Sequence, residues 1–224
     1  MAIRLLPVFF YLFGLGQGHK KVCKTDNLDY INYSNIVKLT DCTKIIGNIK
    51  IVEATFAGDP YLNIPALHPY QLSVFKTVTE LTGVLIVQGA HEDFKDLSFL
   101  GNLTTIYGRN ANKFGQGAAL SVAFTSVESL DFSSLRTIRN GNVVIVYNDN
   151  LCYVDSIKFG NLFLRKTQKA TVAMNRPTVE CALSGRKCAT VCGNGCWGPE
   201  RDNCVGNITE TNLVEDPMQD LYDD

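Results

Sequence analysis

Eight cysteines, three histidines and scattered carboxylates are the residues in this chain that could do chemistry. Cys188, Cys192, Cys196 and Cys204 crowd into 17 residues, near enough in sequence to hold a zinc ion. They lack the paired Cys-x-x-Cys knuckles of structural zinc sites, so disulfides are the better reading. His19, His68 and His91 are far apart in sequence, and the last two fall in loop-like text. The neighbours Glu92 and Asp93 read as solvated loop charges, not as a general acid and base. Gly115-Gln116-Gly117 lacks the strand and helix context of a dinucleotide site and reads as a loop. No nucleophile elbow, phosphate loop or metalloprotease motif occurs. The expectation is a chain without catalytic residues, cofactor or metal.

The cysteines then need a compartment. None precedes Cys23, and the count is even. Arg4 precedes an apolar run from Leu5 to Leu15, followed by Gly16, Gln17 and Gly18. That layout is a secretory signal peptide over residues 1–18, and the run is too short to span a bilayer. Sequons at Asn32, Asn102 and Asn207 agree with export, as do paired cysteines. With 46% hydrophobic residues the chain can bury a core. A net charge of −1 gives no reason to expect nucleic acid or an anionic membrane surface as partner. No later segment is long enough for a membrane span, so a secreted, extracellular product is expected.

What would position any contact residues is a recurrent pattern of Gly followed by an apolar strand. It occurs at Gly47 with Ile49 and Ile51, at Gly83 with Leu85 and Val87, at Gly108, and at Gly141 with Val143 and Ile145. The third strand is displaced by a Gly-rich insertion and resumes at Leu120 and Val122. Spacings of a few tens of residues signal a solenoid. Each repeat contributes a short strand that hides its apolar face only by stacking on the next, which makes the sheets parallel. The competing arrangement, an α/β domain with helical crossovers, needs a series of amphipathic segments. Only Pro69 to Thr79, with Leu72, Phe75 and Val78, qualifies as a helix.

Strand alternation turns Ile49, Ile51, Leu85, Val87, Leu120, Val122, Val143 and Ile145 inward. It turns Val84, Ile86, Gln88, Val144 and Val146 outward, where apolar side chains are either covered by loops or used as a contact patch. Past Cys181 the text is too small to own a core and must rely on cross-links. Six acidic residues and no Lys or Arg between Glu210 and Asp224 predict a solvated, disordered tail over 206–224.

Several ordered motifs resemble the second L domain (third extracellular domain) of the epidermal growth factor receptor family. They are Asp41-Cys42-Thr43-Lys44-Ile45-Ile46-Gly47-Asn48, Gly58-Asp59-Pro60-Tyr61, Ile64-Pro65-Ala66-Leu67-His68-Pro69, the stretch from Phe75 to Gly83, and Asn150-Leu151-Cys152-Tyr153. Gly195-Cys196-Trp197-Gly198-Pro199 is similar to the start of the furin-like cysteine-rich domain that follows it. The resemblance implies a mainly β fold, a right-handed parallel β-helix of leucine-rich-repeat-like character. It implies a receptor L domain over 19–181 and the first furin-like module over 182–205. It also implies pairing of Cys23 with Cys42, Cys152 with Cys181, Cys188 with Cys196, and Cys192 with Cys204. The count alone leaves 105 connectivities open. The two larger loops would each stabilise by ~3–4 kcal/mol in the chain-entropy account.

By the same resemblance Trp197 inserts into the wall of the β-helix. The domain is one of two lobes that grip an EGF-like growth factor. Asp59 matches an acidic contact for a basic ligand residue, and Tyr61 an aromatic beside it. Ile86 and Val144 match an apolar seat for a ligand leucine, and Gln88 a neighbouring polar contact. Ala118 and Ala123 stand where the family has an aromatic and a valine, making that seat shallower, and residues 112–117 are an insertion. The expected function is therefore a secreted binding module for an EGF-like growth factor or a receptor ectodomain, acting as decoy or modulator. Two alternatives are a fragment of a membrane receptor kinase and a receptor-interaction protein that binds no growth factor.

Overall fold

The computed structural model describes residues 20–206. The expected signal peptide, His19, the Asn207 sequon and the tail beyond Gly206 lie outside the described residues. Ten strands form two five-stranded sheets with all pairings parallel. The first sheet runs β1 (Val22–Lys24), β2 (Lys44–Ile46), β4 (Glu80–Leu81), β6 (Thr105–Ile106) and β8 (Thr137–Ile138). The second runs β3 (Ile49–Ile51), β5 (Leu85–Gly89), β7 (Ala118–Thr125), β9 (Asn142–Asn148) and β10 (Ala170–Asn175). From β2 to β9 the chain visits the two sheets alternately, so each circuit lays one strand on each.

That topology follows from side-chain ladders. Ile45, Leu81, Ile106 and Ile138 stack in register across the first sheet. Ile51, Val87, Val122 and Ile145 stack across the second, beside Ile49, Leu85, Leu120 and Val143. All twelve are fully buried. Each such side chain is worth about 1.5–3 kcal/mol relative to exposure, but only once its neighbour above or below is in place.

The recurrent glycines form the corner between the sheets. The Gly83 amide donates to the Gly47 carbonyl at 2.8 Å, and the Gly108 amide to that of Gly83 at 3.0 Å. Asn140 continues the ladder, its side-chain amide donating to the Gly108 carbonyl at 3.1 Å. A β-carbon on Gly83 would collide with the Gly47 backbone, so close stacking is what reserves the position for glycine.

Among the described residues helical structure is sparse. The α-helices are α1 (Tyr33–Ile36), α2 (Glu53–Ala57) and α3 (Thr178–Leu183), all too short for the crossovers of a doubly wound sheet. The segment expected to be helical is a 3₁₀ helix over Pro69–Thr77. Leu72, Phe75 and Val78 are its buried face and boundary, as their spacing predicts. The i, i+3 spacing suits three residues per turn.

Four disulfides join Cys23 to Cys42, Cys152 to Cys181, Cys188 to Cys196, and Cys192 to Cys204. The last two fasten the C-terminal segment. Its Trp197 is fully buried within the hydrophobic core that the sheets share, edge-on to Phe132 (5.3 Å between centroids) and Phe159 (5.9 Å). The Trp197 carbonyl accepts from the amides of Leu130 and Asp131 at 2.9 and 3.1 Å. Arg186 adds a 2.5 Å ion pair to Glu128.

Candidate binding face

The second sheet has an outer face built from two rows of side chains. One row, read across the strands, is Lys50, Ile86, Ser121, Val144 and Thr171. The next holds Gln88, Ala123, Val146 and Ala173. Ile86 is half-buried and Gln88 exposed. Ile86 and Val144 therefore share a row, two strands apart, with Ser121 between them. At about 4.8 Å per strand their backbones stand roughly 10 Å apart.

Two outward positions need correction. Val84 is fully buried. Strand β5 begins one residue later, and Val84 sits in the corner, where its amide donates to Asn48 Oδ1 at 2.9 Å and its carbonyl accepts from Ile49. Alternation does not extend into that corner. Val144 lies on the outer row and outside the continuous core, yet only 7% of it is exposed. It is flanked by Ser121 and Thr171, and the Gln116 loop bonds to this end of the sheet. The Gln116 carbonyl accepts from Asn142 Nδ2 at 2.6 Å, and its side chain from the Thr171 hydroxyl at 3.4 Å. Val144 thus keeps its place in the outer row while presenting little of its surface.

Asp59 and Tyr61 stand apart from the sheet, in a hairpin that begins just beyond α2. Asp59 and Ile64 exchange backbone hydrogen bonds at 2.8 Å. Asp59 Oδ1 accepts the amides of Tyr61 and Leu62 at 2.9 and 3.1 Å, which closes the turn. The result projects Tyr61, 99% exposed, with Leu62 beside it. Within this chain the Asp59 carboxylate is thus a turn-forming group as well as a charge on the surface.

The structure adds a feature that alternation hides. Phe124, Tyr147 and Met174 lie in equivalent places at the ends of β7, β9 and β10, all exposed and all with φ between 54° and 58°. Phe124 and Tyr147 stack face to face at 5.0 Å. The left-handed residue kinks each strand, so the next residue (Thr125, Asn148 or Asn175) turns inward out of phase. Asn148 is fully buried and accepts from the Thr125 amide and hydroxyl at 3.0 and 2.7 Å. Its own side-chain amide donates to Asn175 Oδ1 at 2.9 Å and to the Val122 and Val146 carbonyls at 3.1 Å. The sequence signal was a large apolar residue before Thr or Asn, recurring in successive strands.

Of the sequon asparagines described, Asn32 caps α1, its Oδ1 accepting from Ser34 and Asn35. Asn102 is exposed, and its side-chain nitrogen donates to the Lys76 carbonyl at 2.7 Å. Among the described residues no helix is long and apolar enough to cross a membrane.

Comparison with known proteins accounts for this arrangement. The receptor L domain family matches residues 41–163. Over 193 residues, 86% of this chain, it is 37% identical to the receptor tyrosine-protein kinase erbB-4 of Mus musculus. It is 36% identical to the epidermal growth factor receptor of Apis mellifera over 83% of the chain, and 34% identical to mouse erbB-2 over 86%. The chain spans only about one seventh of these relatives' length, 14% for erbB-4 and 15% for the other two. The matched module is a binding domain without catalytic machinery, which fits an extracellular location. The chain belongs to the receptor L domain family, in its epidermal growth factor receptor branch.

Proposed function

We propose that this chain is a secreted binding module that takes an EGF-like growth factor on the outer face of its second sheet and acts as a decoy or modulator of receptor signalling. The observation that carries the reading is the composition of that face. Half-buried Ile86 and exposed Gln88 lie on β5, and the next two strands of the sheet, β7 and β9, end in the stacked, exposed pair Phe124 and Tyr147. Apolar area of this kind, rimmed by polar groups, is what interaction sites present. The Asp59 hairpin supplies a negative charge and a fully exposed aromatic for the same partner.

The finer architecture belongs to this reading: a right-handed parallel β-helix corresponding to the second L domain over 19–181, followed by the first furin-like module over 182–205. The sheet order supports the coil, and right-handed crossovers between parallel strands are the rule. Burial of Trp197 in the core supports a module docked on its neighbour. Glycans at Asn32 and Asn102 are part of the proposal, as is export directed by residues 1–18.

Titration of purified chain with a panel of EGF-like growth factors tests it. Saturable binding, weakened by Asp59→Lys, is expected. No saturation up to high micromolar concentration would overturn growth-factor binding. It would favour a receptor ectodomain as partner, which capture on cells with and without Ile86→Asp would reveal. The share of the relatives that is matched favours one other reading, a fragment of a membrane receptor kinase. Sequencing the transcript beyond the codon for Asp224 distinguishes it.

A further inference from the structure

His68, His91 and Asp93 are far from zinc-motif spacing, yet the fold places their ligating atoms within 4.8 Å of one another. His68 lies just before the 3₁₀ helix, its backbone amide held by Gln71 Oε1 at 2.9 Å. Its ring Nε2 stands 3.1 Å from Asp93 Oδ2. His91 follows β5 and is pinned at both ends of its peptide unit. Its amide donates to Ser126 Oγ at 3.2 Å, and the Ser126 hydroxyl donates to its carbonyl at 2.6 Å. Its Nδ1 lies 4.0 Å from the same Asp93 oxygen. The imidazole rings meet nearly edge to face at 5.1 Å, with Phe56 behind His91 at 5.8 Å. An open groove of about 500 Å³ alongside, which His68 and Asp93 help to line, gives an ion and its waters room to approach.

We propose that these three side chains bind a divalent transition-metal ion of the zinc class. Two imidazoles and one carboxylate suit zinc or copper, whereas calcium and magnesium prefer oxygen ligands. Zinc bonds of about 2.0–2.1 Å place tetrahedral ligand atoms roughly 3.3 Å apart. His68 and Asp93 are already at that separation. His91 must swing inward by rotation of its side chain, exchanging the 3.1 Å hydrogen bond that Nδ1 accepts from the Asp93 amide for the metal. Water completes the shell. Lys76 and Lys95 line the same groove and oppose a cation, which keeps the affinity moderate. A bound ion would staple the connection that carries the Asp59 hairpin to the loop after β5. The site does not depend on any growth factor binding.

The test uses purified chain stripped with chelator, then titrated with Zn²⁺ by calorimetry and with Co²⁺ by visible absorption. One Zn²⁺ per chain is expected at ~10 µM or tighter. The affinity should fall about tenfold or more in His68→Gln and in His91→Gln. Ligand-field bands of bound Co²⁺ should be lost in both. Circular dichroism checks the fold of each variant, and Asp93→Asn, with a more exposed side chain, serves if either fails. Absence of saturable Zn²⁺ binding, or equal affinity in the His68→Gln/His91→Gln double variant, overturns the proposal.

Discussion

Trp197 joins two parts of the molecule through one side chain. It is fully buried against Phe132 and Phe159, and its backbone bonds to both Asn203 and the Leu130–Asp131 segment. Trp197→Ala should cost about 3–5 kcal/mol in chemical denaturation, the range for deleting a large core aromatic. The indole N–H has no partner among the described residues. Trp197→Phe should therefore cost well under half as much, since it keeps an aromatic ring and removes an unsatisfied donor. Asp131 lies beside it. Burial pushes its carboxyl above the ordinary range, against hydrogen bonds donated by Ser129 (2.6 Å) and Asn203 (2.7 Å) that pull it down. A raised folded value makes the protonated form favourable. That contribution is complete below the ordinary value of about 3.9 and is lost as pH rises through the folded value. Asp131→Asn, which can keep both partners, should gain stability relative to the parent between about pH 4 and pH 7. Denaturation midpoints at the two ends of that window check it, and a pH-independent difference would contradict the assignment.

At the scale of strands, the asparagine ladder shows how a polar residue becomes structural. Asn148 is buried at the end of β9 and serves β7 and β10 at once. Asn148→Leu strands the Thr125 amide and hydroxyl without their acceptor. It should cost about 1–3 kcal/mol or more, measured by urea titration. The inward alternation of the strands was legible from the sequence because Ile, Leu and Val recur at period two behind each glycine. The corner and the strand ends were not. Val84 fell one residue before its strand, and Phe124, Tyr147 and Met174 reverse the phase by adopting left-handed backbone that alternation does not register. Asp59 was singled out by motif resemblance as a charged contact, and the hairpin it closes emerges only in three dimensions.

Across the whole molecule, stacking has a functional consequence. A parallel sheet that buries alternate side chains of its strands leaves the intervening ones in rows that run across several strands. Residues distant in sequence, such as Ile86 and Val144, then share one surface. The four disulfides and the buried Trp197 hold that surface still, which limits the ordering cost of meeting a partner. The Gln116 turn and the near burial of Val144 narrow the apolar area at one end. The most direct measurement compares the affinity of an EGF-like growth factor for the parent chain, for Ile86→Asp on the outer face, and for Thr105→Asp on the first sheet. A loss of about tenfold or more, ~1.4 kcal/mol, is expected for Ile86→Asp alone. Equal affinity for parent and Ile86→Asp, or a loss confined to Thr105→Asp, would contradict the assignment of this face.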